Sequence, residues 1–295
     1  MDKEIQNITK SYKLINARYK LSSIEIKMIT IVLSKIKKED NELKIYDIPI
    51  KEFEFITKNN NHKILKDGCK SLMTKPLEIE INENEFILFN WFSKIHYKGK
   101  ESIIQCRIDQ DLKPFLLELK KDFKTYDIEY ILKMNSEYSI RIYELLKQYE
   151  RIGKRTFILE DLYKILDIPK SYYNYKDFRV RVIQQAGIEI AKLTDIYFEY
   201  EPIKEGRKVT KIEFKIFENK QNKKENKIDQ IKWVQEMRKN HKNKELVFYK
   251  KENANIRINE KGMLYLDNGK RIEKEKALIF WEWAYKNQNL LKVNK

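Results

Sequence analysis

The sequence predicts an α+β fold built from a repeated unit, and three observations carry that prediction. At 295 residues the chain is longer than one hydrophobic core usually organises, since domains run to roughly 100–200 residues. Hydrophobic residues make up 42% and aromatics 12%, enough apolar surface for packed cores and too much for a disordered chain. Helical and period-two segments follow in the order helix, strand, helix, helix, hairpin, and that order occurs twice.

The first unit opens with Ser22 and Glu25, spaced as a capping box that satisfies amide groups at a helix start. A helix to about Lys37 follows, with Ile24, Met28, Ile31 and Val32 among its apolar positions. A short strand from Leu43 to Ile48 comes next, and Pro49 then starts a helix carrying Ile50, Phe53 and Ile56. The run Asn59, Asn60, Asn61 is a turn by composition. His62 to Lys75 reads as a helix with Leu65, Cys69, Leu72 and Met73 on one face, ended by Pro76. Leu77, Ile79 and Ile81 alternate, as do Ile104, Cys106 and Ile108, with one strand from Phe86 to Tyr97 between them. Turns are expected at Asn82 to Asn84 and at Lys98 to Lys100. This order describes a winged helix.

The second unit repeats it. Asn135 to Tyr149 and Leu159 to Leu166 are helical, with a short strand from Arg155 to Ile158 between them. A longer helix, Lys176 to Leu193, aligns Phe178, Val182, Ala186, Ile190 and Leu193 on one face. Strands from Ile196 to Glu201 and from Val209 to Phe217 are joined by the stretch Pro202 to Lys208. The expected organisation is therefore two tandem winged-helix domains, residues 1–130 and 131–218, with Asp111 to Lys133 as a connecting helical segment. Residues 219–295 form a small C-terminal α/β appendage of unknown role. Asn219 to Lys244 is rich in Lys and Asn and reads as a linker running into a polar helix. Met263 to Lys270 holds Asn268-Gly269, a hairpin signal because both residues tolerate positive φ, and Glu273 to Asn289 looks helical with Trp281 and Trp283.

Lys and Arg number 61 against 45 Asp and Glu, a net charge of +16 that suits a phosphate-bearing partner. Charge alone does not separate DNA from RNA or an anionic membrane. No run approaches the roughly 18 apolar residues of a membrane-spanning helix, and residues 1–20 lack a signal-peptide core, so a soluble, cytoplasmic protein is expected. Seven glycines never fall into GxxxxGK or GxGxxG, which argues against a nucleotide-binding loop. His62, His96 and His241 stand singly and suit surface or structural positions better than a metal site, so no metal or other cofactor is expected. Cys69 and Cys106 fit small buried hydrophobes in a reducing compartment. Glu78 and Glu80 lie on an alternating strand, where a solvated face explains them. No catalytic residues are assigned.

Candidate DNA contacts follow from the helix-turn-helix geometry, in which the second helix enters the major groove by its N-terminal part. At 100° per residue, Asp177, Arg181, Gln184 and Ile188 share the face opposite Val182 and Leu193. Arg181 and Gln184 are of the types that pair bidentately with guanine and adenine edges, while Lys176 and Arg179 at the helix start suit phosphates. Lys204, Arg207 and Lys208 surround Gly206 at a hairpin tip, where a wing would lie along backbone or minor groove. A solvated helix face and a soluble turn would look similar. In the first unit Lys63, Lys66 and Lys70 recur opposite Leu65 and Leu72; they suit phosphates or simply solvent, and this unit could equally serve dimerisation.

Three runs together resemble the iteron-binding plasmid replication initiators of the Rep type: Ser136 to Tyr149 with Arg141 and Tyr143, Tyr175 to Ile183, and Phe198 to Phe214 through Gly206. Ile95 to Gly99, Phe115 to Lys120 and Phe123 to Tyr126 are similar to the end of that family's first winged helix. The resemblance covers roughly Leu14 to Phe217. It implies tandem winged helices on repeated double-stranded origin sites, opening of the duplex without chemistry, recruitment of host replication-initiation and helicase-loading proteins, and no enzymatic activity. It also implies a homodimer that represses its own gene in equilibrium with an initiating monomer, hence a part in plasmid copy control. Arg141 and Tyr143 would then be structural members of a signature helix. The rivals are a winged-helix transcriptional repressor and a rolling-circle nicking initiator. The second needs a metal cluster beside its nucleophile, which the scattered histidines do not supply.

Overall fold

The computed structural model describes residues 7–37, 40–53, 56, 62–117 and 123–220, and beyond them residues 222, 232, 234–237, 239, 245–247, 255–259, 263–266, 271–273, 277, 280–281 and 292–294. Asn7–Asn219 form one compact unit and the described residues from Lys220 onward belong to another.

The larger unit begins with β1 (Asn7–Ser11), whose last residue caps α1 (Tyr12–Asn16) by accepting a hydrogen bond from the Leu14 amide. The Ser22 box is closed at both ends at the start of α2 (Ser23–Leu33), and Lys75 adds an ion pair to Glu25 at 2.8 Å. Every residue from Glu25 to Leu33 is buried, as expected of a helix surrounded by other elements. It stops at Leu33 rather than Lys37, where the Ser34 hydroxyl donates to the Ile31 carbonyl at 2.7 Å. Then come β2 (Ile45–Pro49), a 3₁₀ turn at Ile50–Phe53 with Ile56 helical beyond it and the rest of the expected helix outside the described residues, α3 (His62–Leu72), β3 (Leu77–Asn82), β4 (Glu85–Phe89), β5 (Phe92–Lys98) and β6 (Ile103–Ile108). The triple-Asn turn lies outside the described residues.

The strand expected from Phe86 to Tyr97 is two strands. Trp91, 1% exposed and edge-on to Tyr19, inserts into the core between them, so β4 pairs with β3 while β5 joins a sheet of order β2, β6, β5. Met73 and Ile81, expected inside, are exposed, because α3 ends at Leu72 and β3 runs past the core. The segment 111–133 is only partly helical. After α4 (Lys113–Leu116) it contains β7 (Phe123–Asp127), antiparallel to β1, before α5 (Ile128–Lys133).

The second half carries α6 (Glu137–Lys147), β8 (Lys154–Ile158), α7 (Leu159–Ile165), a long helix α8 over 175–193, β9 (Ile196–Glu205) and β10 (Lys208–Glu218), with sheet order β8, β10, β9. The connection expected over Pro202 to Lys208 is mostly strand: Pro202 pairs with Ile212, and only Gly206 and Arg207 turn. Pro202 lacks an amide, which its edge strand tolerates, and Gly206 adopts φ +62° at the turn. One continuous apolar core runs from Leu14 to Ile216.

Helix α6 threads polar groups through that core. Lys10 meets Glu144 at 2.8 Å, and the Tyr126 hydroxyl donates to the same carboxylate. Arg141 donates to the Tyr19 hydroxyl at 2.6 Å and to the Ala17 carbonyl at 2.8 Å. Tyr143 and Lys147 both reach Asp195, at 3.2 and 2.6 Å. Arg155, on β8, bridges to Asn16 at 2.6 Å. Arg141 and Tyr143 are thus structural: they tie the N-terminal segment, α6 and the second half's sheet together.

The smaller unit contains a four-stranded sheet of order β13, β12, β11, β14, made of β11 (Glu245–Val247), β12 (Asn255–Ile258), β13 (Leu264–Leu266) and β14 (Lys292–Asn294). Ile258, Leu264 and Trp281 are buried together. In the linker stretch, residues 220, 222, 232, 234–237 and 239 are helical. The Asn268-Gly269 turn lies outside the described residues, but Tyr265 bridges to Arg271 across it; the longer pairing of β13 is with β12. Ala277, Phe280 and Trp281 are helical, and Trp283 lies outside the described residues.

Candidate nucleic-acid interface

The exposed side of α8 is set by how its buried side is wound. Phe178, Val182, Ala186 and Ile190 follow one another at i+4, and each is fully buried. In an ideal α-helix such a series drifts about 40° per step, about 120° over the four residues. Arg179–Gln184 forms a π-helical turn between the α-helical segments Tyr175–Phe178 and Gln185–Leu193. Its wider winding cancels the drift, and it rotates the first turn of the helix relative to the rest.

That rotation changes the reading face predicted at 100° per residue. Asp177 is half-buried rather than aligned with Arg181 and Gln184. Lys176, Val180, Arg181, Gln184, Gln185 and Ile188 are exposed, and Arg179 is half-buried. Val180 and Gln185 were missed. No spacing rule marked them, because a count at 100° per residue assumes an unbroken α-helix.

The helix start is held from several directions. Asn174 caps it by accepting from the Lys176 amide at 2.9 Å. Tyr173 stacks on Tyr163, and the Arg181 guanidinium lies over the Tyr172 ring, 5.1 Å from its centroid. Burial pushes the Tyr163 hydroxyl up to about 12, so it stays neutral, and it donates to the Tyr173 carbonyl at 3.3 Å.

Lys204, Arg207 and Lys208 are all exposed at the tip of the β9 to β10 hairpin. Lys208 meets Glu160 at 3.4 Å, and lower on the hairpin Lys211 and Lys215 pair with Glu205 and Glu201. These exposed pairs are weak enough for phosphate to displace the carboxylate. On α3, Lys63, Lys66 and Lys70 are exposed opposite buried Leu65 and Leu72, with the Lys66 ammonium 5.4 Å from the centre of the Tyr97 ring. Gly68 lets α3 approach α2 closely; a Cβ there would sit 2.7 Å from the Met28 sulfur. Among the described residues no three His, Cys, Asp or Glu side chains are grouped as metal ligands, and no helix is long and apolar enough to cross a membrane.

Two successive winged helices, the second with a basic and amide-rich face on its long helix, define a tandem winged-helix protein. Residues 7–147 match the model of the family described as Initiator Replication protein, WH1, and residues 158–216 match that of Initiator Rep protein, WH2. The chain belongs to this initiator replication protein family. Among curated proteins it is 26% identical over 157 residues to the PI protein of Escherichia coli, covering 47% of this chain and 49% of that one. It is also 26% identical over 128 residues to a Replication initiation protein of Escherichia coli, covering 41% and 39%. The alignments thus span about half or less of these relatives' length. A crystal structure described as Pi initiator protein in complex with iteron DNA superposes with a TM-score of 0.60 at 20% identity, covering 72% of this chain and 96% of that one. That likeness establishes the shared fold.

Proposed function

We propose that this protein initiates plasmid replication by binding repeated duplex sites at an origin, opening adjacent DNA and recruiting host replication proteins, in the bacterial cytoplasm. The observation that carries the reading is the exposed face of α8 with Lys176, Arg181 and Gln184, on a second winged helix whose hairpin tip carries exposed Lys204, Arg207 and Lys208. It draws support from the two curated relatives, one of them named for replication initiation, and from the solved relative described with iteron DNA. Footprinting the protein across its own plasmid's intergenic region tests it. Protection of evenly spaced, related sequences is the expected result, and a plasmid carrying them should replicate only when the protein is supplied. Uniform, sequence-independent protection would overturn the reading.

The proposed division of labour gives residues 131–218 primary DNA recognition and residues 1–130 dimerisation with accessory phosphate contacts through Lys63, Lys66 and Lys70. The role of 219–295 stays open. Dimerisation by the first unit is supported by β4, which among the described residues pairs only with β3 and exposes Phe86, Ile87 and Leu88 in succession. The binding is proposed to be non-catalytic, with opening driven by binding free energy.

A further inference from the structure

The exposed face of α8 carries two large aliphatic side chains that the fold does not require. Val180 is 47% and Ile188 67% exposed, while the opposite side of the same helix supplies the core with Phe178, Val182, Ala186 and Ile190. A polar residue at either position would leave every core contact intact and remove hydrocarbon from water. Their surroundings define what they can meet. Arg181, Gln184 and Gln185 stand exposed around and between them, and Lys176 precedes them. The apolar surface is therefore two separate spots in a polar, cationic field, which suits point contacts and not the broad packing of another helix or sheet. Val180, Gln184 and Ile188 follow one another at i+4 and are all exposed.

The major groove offers one apolar group for such spots, the C5 methyl of thymine. We propose that Val180 and Ile188 each contact a thymine methyl, on either side of the base edges read by Arg181 and Gln184, so that the site recognised holds two obligatory thymines. This rests on the duplex-binding reading above. Eight residues at the α-helical rise of 1.5 Å would separate the two side chains by about 12 Å, and the wider π turn shortens this somewhat, which corresponds to roughly three base steps.

The test uses the intact chain and a duplex it selects from a random-sequence pool. Each thymine of that duplex is replaced singly by deoxyuridine, which lacks the methyl and keeps the pairing edge. Two positions roughly three steps apart should each weaken binding about three- to fivefold, the value of one buried methyl group, and other thymines should be silent. Ile188→Ala should weaken binding to the parent duplex by a similar factor and abolish the penalty at one of the two positions; Val180→Ala should abolish the other. The deoxyuridine series on the unaltered chain stands independently of whether either variant folds. Selective binding that ignores every thymine-to-uracil change would overturn the inference while leaving duplex recognition in place. So would an Ile188→Ala protein that keeps both penalties and instead loses self-association. Failure to enrich any sequence from the pool would overturn both readings.

Discussion

Arg181 and Lys208 sit in different settings and should fail differently when removed. Arg181 is exposed beside Gln184 and steadied by Tyr172, which limits the freedom it would lose on pairing with a base edge. Arg181→Ala should cost about 1–3 kcal/mol on the cognate repeat and relax discrimination at one position, with little change in nonspecific affinity. Lys208 is at the hairpin tip and must release Glu160 to meet a phosphate. Lys208→Ala should weaken binding to every duplex and flatten the log K against log salt slope by about one unit. Competition titrations on single-base variants at several salt concentrations separate the two. If Arg181→Ala lowers affinity equally for all sequences, the exposed Lys176 at the helix start becomes the better reader. Glu144 belongs to stability instead. Burial alone would raise its pKa, but the charges of Lys10 and Arg141 and hydrogen bonds from Lys10 and Tyr126 outweigh that and hold it below the usual carboxylate value. Its folded pKa lies below the unfolded one, so its contribution is complete above about pH 4.3 and is lost as pH falls through the folded value. Glu144→Gln should destabilise by about 3–5 kcal/mol at neutral pH by leaving Lys10 and Arg141 without their carboxylate. Urea denaturation should show that gap narrowing as pH falls below about 4, and a gap independent of pH would show that the carboxylate charge is not the stabilising feature.

Among elements, β4 makes the sharpest prediction. Phe86 and Leu88 are 58% and 57% exposed on a strand that among the described residues pairs on one side only, so replacing both with charged residues should leave folding unchanged and dissociate the proposed dimer. Sedimentation of Phe86→Glu with Leu88→Lys against the parent checks this, and a dimer that persists at the same concentration would move the interface elsewhere. Cutting the chain near Met134 is a poorer test, because Arg141, Glu144 and Arg155 would lose partners at positions 10, 17, 19 and 16. Elements defined by neighbouring residues were legible: the Ser22 box, the order of helices and strands, the buried row of α8 and the signature helix. Those defined by distant partners were not. The β1 strand gains its meaning only from β7, far along the chain, and Trp91 breaks a run of strand-forming residues because the core has a place for its ring. At the interface the residue types were readable, whereas their phase was not, since nothing in a 100° count anticipates a π turn.

For the molecule as a whole, the proposed function raises the question of what would drive strand opening. The chain carries +16 net charge, its sequence has neither glycine-rich phosphate loop, and its three histidines are far apart in sequence. In the proposed reading, counterion release and contacts made on binding several sites supply the free energy, and they must also cover any bend that a pair of winged helices imposes, on the order of 1–6 kcal/mol for 40–90°. Two consequences separate this from a nicking or ATP-driven initiator. Origin opening, read by single-strand-specific probes on supercoiled DNA, should proceed without nucleotide and should weaken steeply with salt, in parallel with binding. Incubation with Mg²⁺ or Mn²⁺ should leave the supercoiled form intact, with no protein joined to a DNA end. Opening that requires ATP hydrolysis at a salt concentration where the repeats are already saturated would mean that binding free energy is insufficient. A covalent adduct surviving purification controls would place a nucleophile in this fold that neither its sequence motifs nor the grouping of its described side chains reveals.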